Sequence, residues 1–338
     1  MDLIIFIPLI ISFFVTLIVM PYWIKKARGI GLIWEDMNKF ERKKNVAGSG
    51  GLIVLMGFIL GVLSYIFLKT FYFKSQTNVV ELFALSTVVL ILAIIGLVDD
   101  LLGWHKGGLS KKFRLIMCLF AAIPLIVINA GVPEIYIWGL EGINLGLIYV
   151  LVIVPIGITG AATTFNFLAG FNGLEASQGV IILSALSLVA YFIGSSWLAL
   201  IGLCMVLSLI AFLYFNKFPS KVFPGDVLTY SVGGMIAIMA ILGNMEKFAL
   251  FIFIPYIIEV ILKSRGKLQK HSFGKPNKDD SLEMPYDKIY GLEHFAIWAL
   301  KKIKGRATEK EVVYFINLIQ IVVIVLGLII FREGIFIN

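Results

Sequence analysis

Apolar segments long enough to cross a lipid bilayer recur along the whole chain. A membrane-spanning helix needs about 20 mostly apolar residues. The chain has 338 residues, of which 59% are hydrophobic and only 15% are charged, whereas soluble domains are about 25% charged. The sequence therefore predicts an all-α polytopic membrane protein that forms one integral membrane domain over 1–338. The ten candidate spans lie at about 3–23, 52–68, 82–98, 113–130, 145–165, 179–194, 197–215, 227–244, 247–262 and 312–331.

The basic residues are divided unequally between the two faces that ten spans create. Of the 29 Lys and Arg residues, 25 fall on one face. The four on the other face are Lys69, Lys74, Lys247 and Arg332. Because cytoplasmic loops are enriched in Lys and Arg, this pattern predicts that both termini lie outside. The long loop 263–311 is then cytoplasmic. Basic loops at a membrane surface suit anionic headgroups or an anionic substrate, and they argue against nucleic acid as a partner.

A polar, glycine-rich loop separates two of the apolar segments, within Thr159 to Gly179 (TGAATTFNFLAGFNGLEASQG). It contains Asn166, Asn172 and Glu175, together with glycines that let main-chain N–H groups approach a ligand. A plain connecting loop needs neither the two amides nor the acid. The stretch therefore favours a ligand-binding loop at the end of a membrane-length helix over a turn that is merely polar.

Three aspartates lie at helix ends on the same predicted face. Asp99 and Asp100 close the third span, and Asp226 begins the eighth. A charged residue in a membrane helix is a functional hypothesis by default. Two simpler explanations remain open: the pair marks a solvated membrane interface, and Asp226 is a helix N-cap. Because Mg²⁺ is held by one or two carboxylates plus substrate phosphates, the set predicts metal–diphosphate chemistry at the cytoplasmic surface.

The loop 263–311 adds cationic groups. His271 lies between Lys270 and Lys275 in the stretch KLQKHSFGKPNK. Such side chains donate hydrogen bonds to phosphate oxygens. A solvated basic loop is the simpler explanation, and taken alone we favour it.

Taken in order, these motifs resemble those of the polyprenyl-phosphate N-acetylhexosamine-1-phosphate transferases, of the glycosyltransferase family 4 type. The resemblance is strongest to the eukaryotic and archaeal branch, the UDP-GlcNAc–dolichyl-phosphate N-acetylglucosamine-1-phosphotransferases, and it covers nearly the whole chain. The asparagine-rich loop is the most specific motif. The matching stretches are EDMNK at Glu35 to Lys39, VDD ending at Asp100, NFLAGFNGLEASQG at Asn166 to Gly179, VFPGD at Val222 to Asp226 and onward through ILGN at Ile241 to Asn244, and LEMPY at Leu282 to Tyr286.

The resemblance implies roles for the matching positions. The implied metal ligands are Asn166 and Asp226, which hold Mg²⁺, or Mn²⁺ as the alternative, against the donor diphosphate. The implied UDP-sugar residues are Glu35, Asp36, Met37, Asn166, Asn172, Glu175, Lys270, His271 and Ser272. The implied catalytic residues are Asp99, Asp100, Lys112 and His271.

Three of these positions depart from the family pattern. The loop length near the catalytic lysine differs, so Lys111 stays open as the alternative to Lys112. Ser272 stands at the third position of a basic run, which makes Lys275 a candidate for the missing charge. Gly48 stands where eukaryotic members have a pocket glutamate.

The implied reaction transfers GlcNAc-1-phosphate from UDP-GlcNAc to a polyprenyl (dolichyl-type) phosphate, with UMP released. This is the first step of lipid-linked oligosaccharide assembly for N-glycosylation. Direct attack by the lipid phosphate is favoured over a two-step route through a covalent aspartyl intermediate. Another UDP-N-acetylhexosamine as donor stays open, as does a homodimer. The expected location is the cell membrane of an archaeon, or the endoplasmic reticulum of a eukaryote.

Two other classes of protein stay in view. A secondary transporter would carry its site near the bilayer midplane, within repeats, whereas the polar motifs here gather at one face. A lipid-binding scaffold without activity would explain the basic loops. It would not need the aspartates and Asn166.

Overall fold

The chain is helical almost throughout in the computed structural model, which describes residues 3–41, 44–135 and 143–336. The α-helices are α1 (Ile7–Gly29), α2 (Gly51–Phe67), α3 (Val79–Lys106), α4 (Lys111–Ala121), α5 (Ile123–Val127), α6 (Val154–Phe165), α7 (Leu174–Phe192), α8 (Ser196–Asn216), α9 (Asp226–Leu242), α10 (Glu246–Ile252), α11 (Ile254–Arg265), α12 (Leu292–Lys304), α13 (Glu309–Ile330) and α14 (Arg332–Phe336). Antiparallel pairs are formed by β1 (Ile33–Glu35) with β2 (Lys44–Ala47), β3 (Glu134–Ile135) with β4 (Ile143–Asn144), and β5 (Lys275–Pro276) with β6 (Leu282–Glu283).

Six helices of the described residues are long and apolar enough to cross a membrane. They are Leu3–Gly29, Gly51–Tyr72, Val79–Gly103, Leu174–Phe192, Ser196–Asn216 and Glu309–Ile330. Two shorter apolar helices, Tyr149–Phe165 and Asp226–Leu242, correspond to further expected spans. The expected spans at 113–130 and 247–262 are each divided between two helices. The helical multi-pass architecture is confirmed, and the number of ten spans stays a prediction.

Helix α9 lies between α3 and α6, and glycines make both contacts close. A Cβ atom at Gly96 of α3 would lie only 2.4 Å from the carbonyl oxygen of Asp226. On α9, a Cβ at Gly234 would lie 2.1 Å from a leucine of α3, and one at Gly233 would lie 2.5 Å from the carbonyl oxygen of Ala161 in α6. Small residues are what let membrane helices approach so closely. The packing brings the C-terminal ends of α3 and α6 beside the N-terminal end of α9.

Three loops cover this end of the bundle and are joined by one buried side chain. Asn38, which is 1% exposed, donates from Nδ2 to the carbonyl oxygen of Gly170 at 2.9 Å. Its Oδ1 accepts from the main-chain N–H of Gly274 at 3.1 Å. The loop after β1, the asparagine-rich loop and the segment between α11 and α12 therefore meet in one layer above the helix ends.

Candidate functional site

A cleft of about 730 Å³ opens where α3 and α6 end and α9 begins. Its volume is in the range of small-molecule binding sites. The residues expected from the sequence that line it are Glu35, Asp36, Met37, Asp100, Asn166, Glu175, Asp226 and His271. Trp34, Phe223 and Phe273 add aromatic surface. Residues far apart in the sequence thus face one space.

A second cleft of about 330 Å³ adjoins the first. The two clefts share Asn166, His271 and Phe273. The basic side chains that line the second cleft are Lys111, Arg114, Lys263, Lys270 and His271. The larger cleft therefore carries most of the acids, and the smaller one carries cations that suit an anionic group.

Asp100 closes the floor of the larger cleft against the start of α9. Its Oδ1 accepts from the main-chain N–H of Asp226 at 2.7 Å, and its Oδ2 accepts from Ser49 Oγ at 2.9 Å. Gly225 has φ +72°, and a Cβ there would lie 2.1 Å from Asp100 Oδ2, so only glycine permits this approach. Because Gly225 occupies the N-cap position and Asp226 the first helical one, the explanation of Asp226 as a simple N-cap does not hold.

Arg114 joins the other two aspartates. Its Nη1 donates to Asp99 Oδ2 at 2.6 Å and to Asp226 Oδ2 at 3.4 Å. The second oxygen of Asp99 accepts from the main-chain N–H of Leu109 at 2.5 Å. Asp100 belongs to the same cluster through its bond to the main-chain N–H of Asp226, so three carboxylates accompany one guanidinium when all are ionised. The cluster then has an excess of two negative charges.

The oxygen donors around this cluster fit a hard divalent cation. Asn166, at the C-cap of α6, and Asp226 line the same cleft. Within the described ranges there is no group of three or more His, Cys, Asp or Glu residues that could hold a metal ion. Mg²⁺ does not need such a cage, because it is usually bound through one or two carboxylates, waters and substrate phosphates. The donor set and the negative excess thus fit Mg²⁺ on Asn166 and Asp226.

Asn172 is buried behind the lining of the larger cleft and bonds Asp36. Its Nδ2 donates to Asp36 Oδ2 at 3.0 Å, and its main-chain N–H donates to Glu309 Oε1 at 2.8 Å. Asn172 is 5% exposed and is not among the residues that line either cleft. The amide that the resemblance places among the UDP-sugar residues is here part of the support for the loop.

Glu175 both supports the loop and faces the cleft. Its Oε1 accepts from the main-chain N–H of Gly170 at 2.8 Å. Its Oε2 is buried and has no hydrogen-bond partner among the described protein groups. Because buried polar atoms are nearly always hydrogen-bonded, this oxygen is an exception at the wall of the cleft.

The basic run of the last long loop borders the second cleft. His271 is exposed between the two clefts, and its main-chain N–H donates to Tyr286 Oη at 3.1 Å. Lys270 Nζ lies 4.7 Å from the centroid of the Tyr286 ring. Ser272 Oγ accepts from Lys263 Nζ. Lys275, the candidate for the missing charge, is exposed and lines neither cleft.

A buried cluster supports this run from behind. Lys263, at the end of α11, is 8% exposed and lies 3.4 Å from Glu259 Oε1. His294 of α12 accepts at Nδ1 from the main-chain N–H of Tyr290 at 3.3 Å. Burial, together with the charge of Lys263, lowers the pKa of His294 to about 4. The imidazole is therefore neutral at physiological pH.

The two lysines named as alternatives for the catalytic cation lie differently. Lys112 is exposed and lines neither cleft. Lys111 lines the second cleft, and its Nζ donates to the carbonyl oxygen of Leu268 at 3.0 Å. Arg114, which contacts the aspartates, was not singled out from the sequence. The signal was present, because residues three apart on a helix share a face and Arg114 follows Lys111 at that spacing on α4.

The space beside Gly48 is filled by the indole ring of Trp34, which belongs to β1. A Cβ atom at Gly48 would lie 2.7 Å from Trp34 Nε1, and both residues line the larger cleft. Trp34 therefore fills the space in which a side chain at position 48 would lie. A glutamate there would require the indole to move.

Comparison with known proteins identifies the family. The family model for glycosyl transferase family 4 matches residues 82–244. A protein of Saccharolobus solfataricus, provisionally named a UDP-N-acetylglucosamine–dolichyl-phosphate N-acetylglucosaminephosphotransferase, is 35% identical over 311 residues, 91% of each chain. A Sulfolobus acidocaldarius protein with the same provisional name is 33% identical over 330 residues, 96% of this chain and 95% of that protein.

More distant relatives belong to bacteria. A phospho-N-acetylmuramoyl-pentapeptide-transferase of Streptococcus equi subsp. zooepidemicus is 31% identical over 261 residues, 74% of this chain and 76% of that protein. The resemblance stated from the motifs is thus confirmed over nearly the full length of the chain. The protein is a member of glycosyl transferase family 4.

Proposed function

We propose that this protein transfers GlcNAc-1-phosphate from UDP-GlcNAc to a polyprenyl phosphate of the dolichyl type. The products are GlcNAc-diphospho-polyprenol and UMP, and the reaction begins lipid-linked oligosaccharide assembly for N-glycosylation. Two archaeal relatives named for this activity match at 33–35% identity over more than nine-tenths of the chain. The observation that carries the proposal is the junction of an acidic and a basic cleft at Asn166 and His271.

The larger cleft is the donor site. Its aromatic surface, from Trp34, Phe223 and Phe273, suits a nucleobase, since aromatic side chains stack on base faces. The Asp226 and Asn166 end suits the diphosphate with its metal ion. When Mg²⁺ is bound there, it neutralises the phosphate oxygens on which charge develops.

The smaller cleft is the acceptor site. Lys111, Arg114, Lys263 and Lys270 offer cations to the lipid phosphate. Leu115 and Leu268, which line the same cleft, are 45% and 40% exposed, so an apolar chain can leave it along α4. A lipid phosphate placed here reaches the donor at Asn166 and His271.

The transfer exchanges one phosphorus–oxygen bond for another. A phosphate oxygen of the lipid attacks the β-phosphorus of UDP-GlcNAc. The bond from that phosphorus to the bridging oxygen breaks, and UMP leaves with the electron pair. Arg114 and His271 stabilise the charge on the phosphoryl oxygens, and this stabilisation is the main protein contribution in phosphoryl transfer.

The hydrogen bonds of the aspartates favour direct attack. Both oxygens of Asp100 are engaged, by Ser49 and by the start of α9, and Asp99 is held by Arg114 and Leu109. A covalent nucleophile needs a free oxygen aimed at phosphorus, and neither carboxylate offers one. Neither aspartate is needed as a strong base for the lipid phosphate. That phosphate is largely ionised already, with a second pKa near 6.

The same proposal includes the topology and the location. Ten spans in one domain put both termini outside and the two clefts on the cytoplasmic face, where the charge distribution and the cytosolic supply of UDP-sugar agree. The two relatives that match over more than nine-tenths of the chain are archaeal, which favours the cell membrane of an archaeon.

The test is UMP release by the purified protein from UDP-GlcNAc, with and without dolichyl phosphate and Mg²⁺. We expect release that needs both lipid and metal and that is lost in Asp226→Ala. The matched control is Asp280→Ala, which removes an exposed carboxylate of the last loop and should leave the rate unchanged. UDP-GalNAc run in parallel determines the donor preference. No release from folded protein with any prenyl phosphate or UDP-sugar would refute the proposal.

A further inference from the structure

Glu309, the first residue of α13, contacts two segments that line the donor cleft. Its Oε1 accepts from the main-chain N–H of Asn172 at 2.8 Å. Its Oε2 forms an ion pair with Lys39 and lies 3.5 Å from Asn172 Nδ2. The side chain is 1% exposed. Glu309 itself does not line either cleft.

The start of α13 does not depend on this carboxylate. Thr308 and Glu311 form a reciprocal capping box there, in which Glu311 Oε2 accepts from the main-chain N–H of Thr308 at 3.0 Å. An acid in the first turn is favourable for any helix, and Glu311 already supplies one. A buried carboxylate is costly unless it is paired and hydrogen-bonded. The partners that offset the cost for Glu309 all belong to other segments.

Those partners lead directly to the walls of the donor cleft. Asn172 donates onward to Asp36 Oδ2 at 3.0 Å, and Asp36 lines the cleft. Lys39 continues the same segment. Gly170, two residues before Asn172, also lines the cleft. One buried charge thus holds the asparagine-rich loop and the EDMNK segment in fixed relation to each other.

We propose that Glu309 is a positioning residue of the donor site. It fixes the loop at 170–172 against the segment 35–39, and so sets the affinity for the UDP-sugar without touching it. The inference rests on the proposed function. Charge-assisted hydrogen bonds hold geometry most strongly, so the loss of this carboxylate loosens both walls of the cleft. The acceptor cleft, lined from α4, α6, α11 and the His271 run, keeps its own supports.

The experiment compares steady-state kinetics of Glu309→Ala, Glu309→Gln and Glu311→Ala. In Glu309→Ala we expect KM for UDP-GlcNAc to rise by about tenfold or more, with kcat within about threefold and KM for the lipid unchanged. Glu309→Gln should be intermediate, because its amide oxygen can accept from Asn172 N–H but cannot pair with Lys39. Glu311→Ala, the matched control two residues away, should leave KM for UDP-GlcNAc unchanged, since among the described residues its side chain bonds Thr308 and Lys304, and neither lines a cleft.

Two readouts separate positioning from mere support of the fold. Thermal unfolding and size-exclusion profiles report whether each variant is folded. If Glu309→Ala does not fold, the kinetics of Glu309→Gln provide the test. An active wild-type enzyme with an unchanged KM for UDP-GlcNAc in the Glu309 variants overturns the inference and leaves the proposed function intact. A fall in kcat without a rise in KM in the Glu309 variants also overturns the inference. An equal rise of KM in Glu311→Ala does so as well.

The inference also has a test that does not need turnover. If the wild-type protein releases no UMP, binding of UDP with Mg²⁺ is measured by the shift of the unfolding temperature. Weaker binding to the Glu309 variants than to Glu311→Ala supports the positioning role. Equal binding, or no binding to any of these proteins, overturns it.

Discussion

Arg114 is the side chain that connects the acids of α3 and α9. It lies on α4, outside the helices that carry the aspartates, and reaches Asp99 at 2.6 Å and Asp226 at 3.4 Å. The guanidinium is 23% exposed, and it also lines the acceptor cleft. It therefore holds the acids in place and offers charge to the phosphates at the same time.

Replacement of Arg114 should cost most of the activity. In Arg114→Ala we expect kcat to fall by about 100-fold or more, because donors aimed at developing charge contribute on this scale. Arg114→Lys keeps the charge but not the planar fork, so its loss should be smaller. The measurement is UMP release at saturating donor and lipid.

Lys112→Ala is the control for that comparison. The side chain is exposed and lines neither cleft, so we expect kcat to stay within about threefold of wild type, as for surface substitutions remote from a site. A loss as large as that of Arg114→Ala would restore Lys112 as the catalytic cation.

The residue scale shows what a sequence can and cannot supply. Asn166, Asp100 and Asp226 were found because polar residues at the ends of apolar segments are unusual, and the structure brings them to one cleft. Glu309 was not found, because an acid in the first turn of a helix is ordinary. Its tertiary contacts with Asn172 and Lys39 distinguish it from Glu311.

His294 gives the fold a defined response to acid. Its pKa is lowered to about 4, by burial first and by Lys263 second, whereas an unfolded histidine titrates near 6.5. Between these pH values His294 binds more protons in the unfolded chain than in the folded one. Stability is therefore complete above about pH 6.5 and falls as the pH drops toward 4, by up to about 3 kcal/mol from this residue.

The check on His294 is the pH dependence of thermal unfolding. Between pH 6.5 and 4.5 the wild-type unfolding temperature should fall relative to that of His294→Gln, because the variant has no imidazole to protonate. Equal slopes for the two proteins would show that His294 does not contribute.

At the scale of elements, close packing of α9 against α3 and α6 builds the site. The carboxylates lie at helix ends that meet only because Gly96, Gly233 and Gly234 leave no side chain between the helices. Asp100 then reaches the first N–H of α9. The position of the metal ligands thus follows from helix packing more than from loop conformation.

Gly96→Ala should separate α3 from α9. A Cβ at this position would lie 2.4 Å from the carbonyl oxygen of Asp226, and overpacking of this kind costs about 1–3 kcal/mol. We expect a lower unfolding temperature and a reduced kcat. Gly160→Ala is the control within α6, where no heavy atom lies within 4 Å of the added Cβ. Activity equal to wild type in Gly96→Ala would contradict the packing account.

Proline explains where the apolar segments and the helices differ. A hydropathy pattern predicts that a segment is buried or lipid-facing, but it does not register the missing N–H of proline. Pro124 is the second residue of α5 and Pro255 the second residue of α11, and at both places a continuous apolar segment becomes two helices. Hydropathy therefore predicts the apolar segments, but it does not predict that two of them are each broken into two helices.

At the scale of the whole molecule, the arrangement matches a reaction between a water-soluble and a lipid-soluble substrate. Both clefts lie where α3 and α6 end and where α4 and α9 begin, under a layer of loops joined by Asn38. The donor can enter from water, and the acceptor phosphate can enter beside exposed apolar residues of α4. A transporter site at the midplane would have a different placement.

The proposed topology is testable with single cysteines. Cys118 and Cys204 are buried, so new cysteines at exposed Lys74 and Lys278 dominate labelling by a maleimide that does not cross membranes. With both termini outside, Lys74→Cys should react in intact cells, and Lys278→Cys only after permeabilisation. The reverse pattern, or labelling of both in intact cells, would contradict the orientation inferred from the charges.

The central claim is that a phosphosugar, rather than a sugar alone, moves to the lipid. The most direct measurement uses UDP-GlcNAc labelled with ³²P on either the α- or the β-phosphate, followed by separation of lipid and water phases. We predict that the β-label enters the lipid phase and that the α-label stays in water as UMP. Retention of both labels in water as UDP, with GlcNAc on the lipid, would contradict the account.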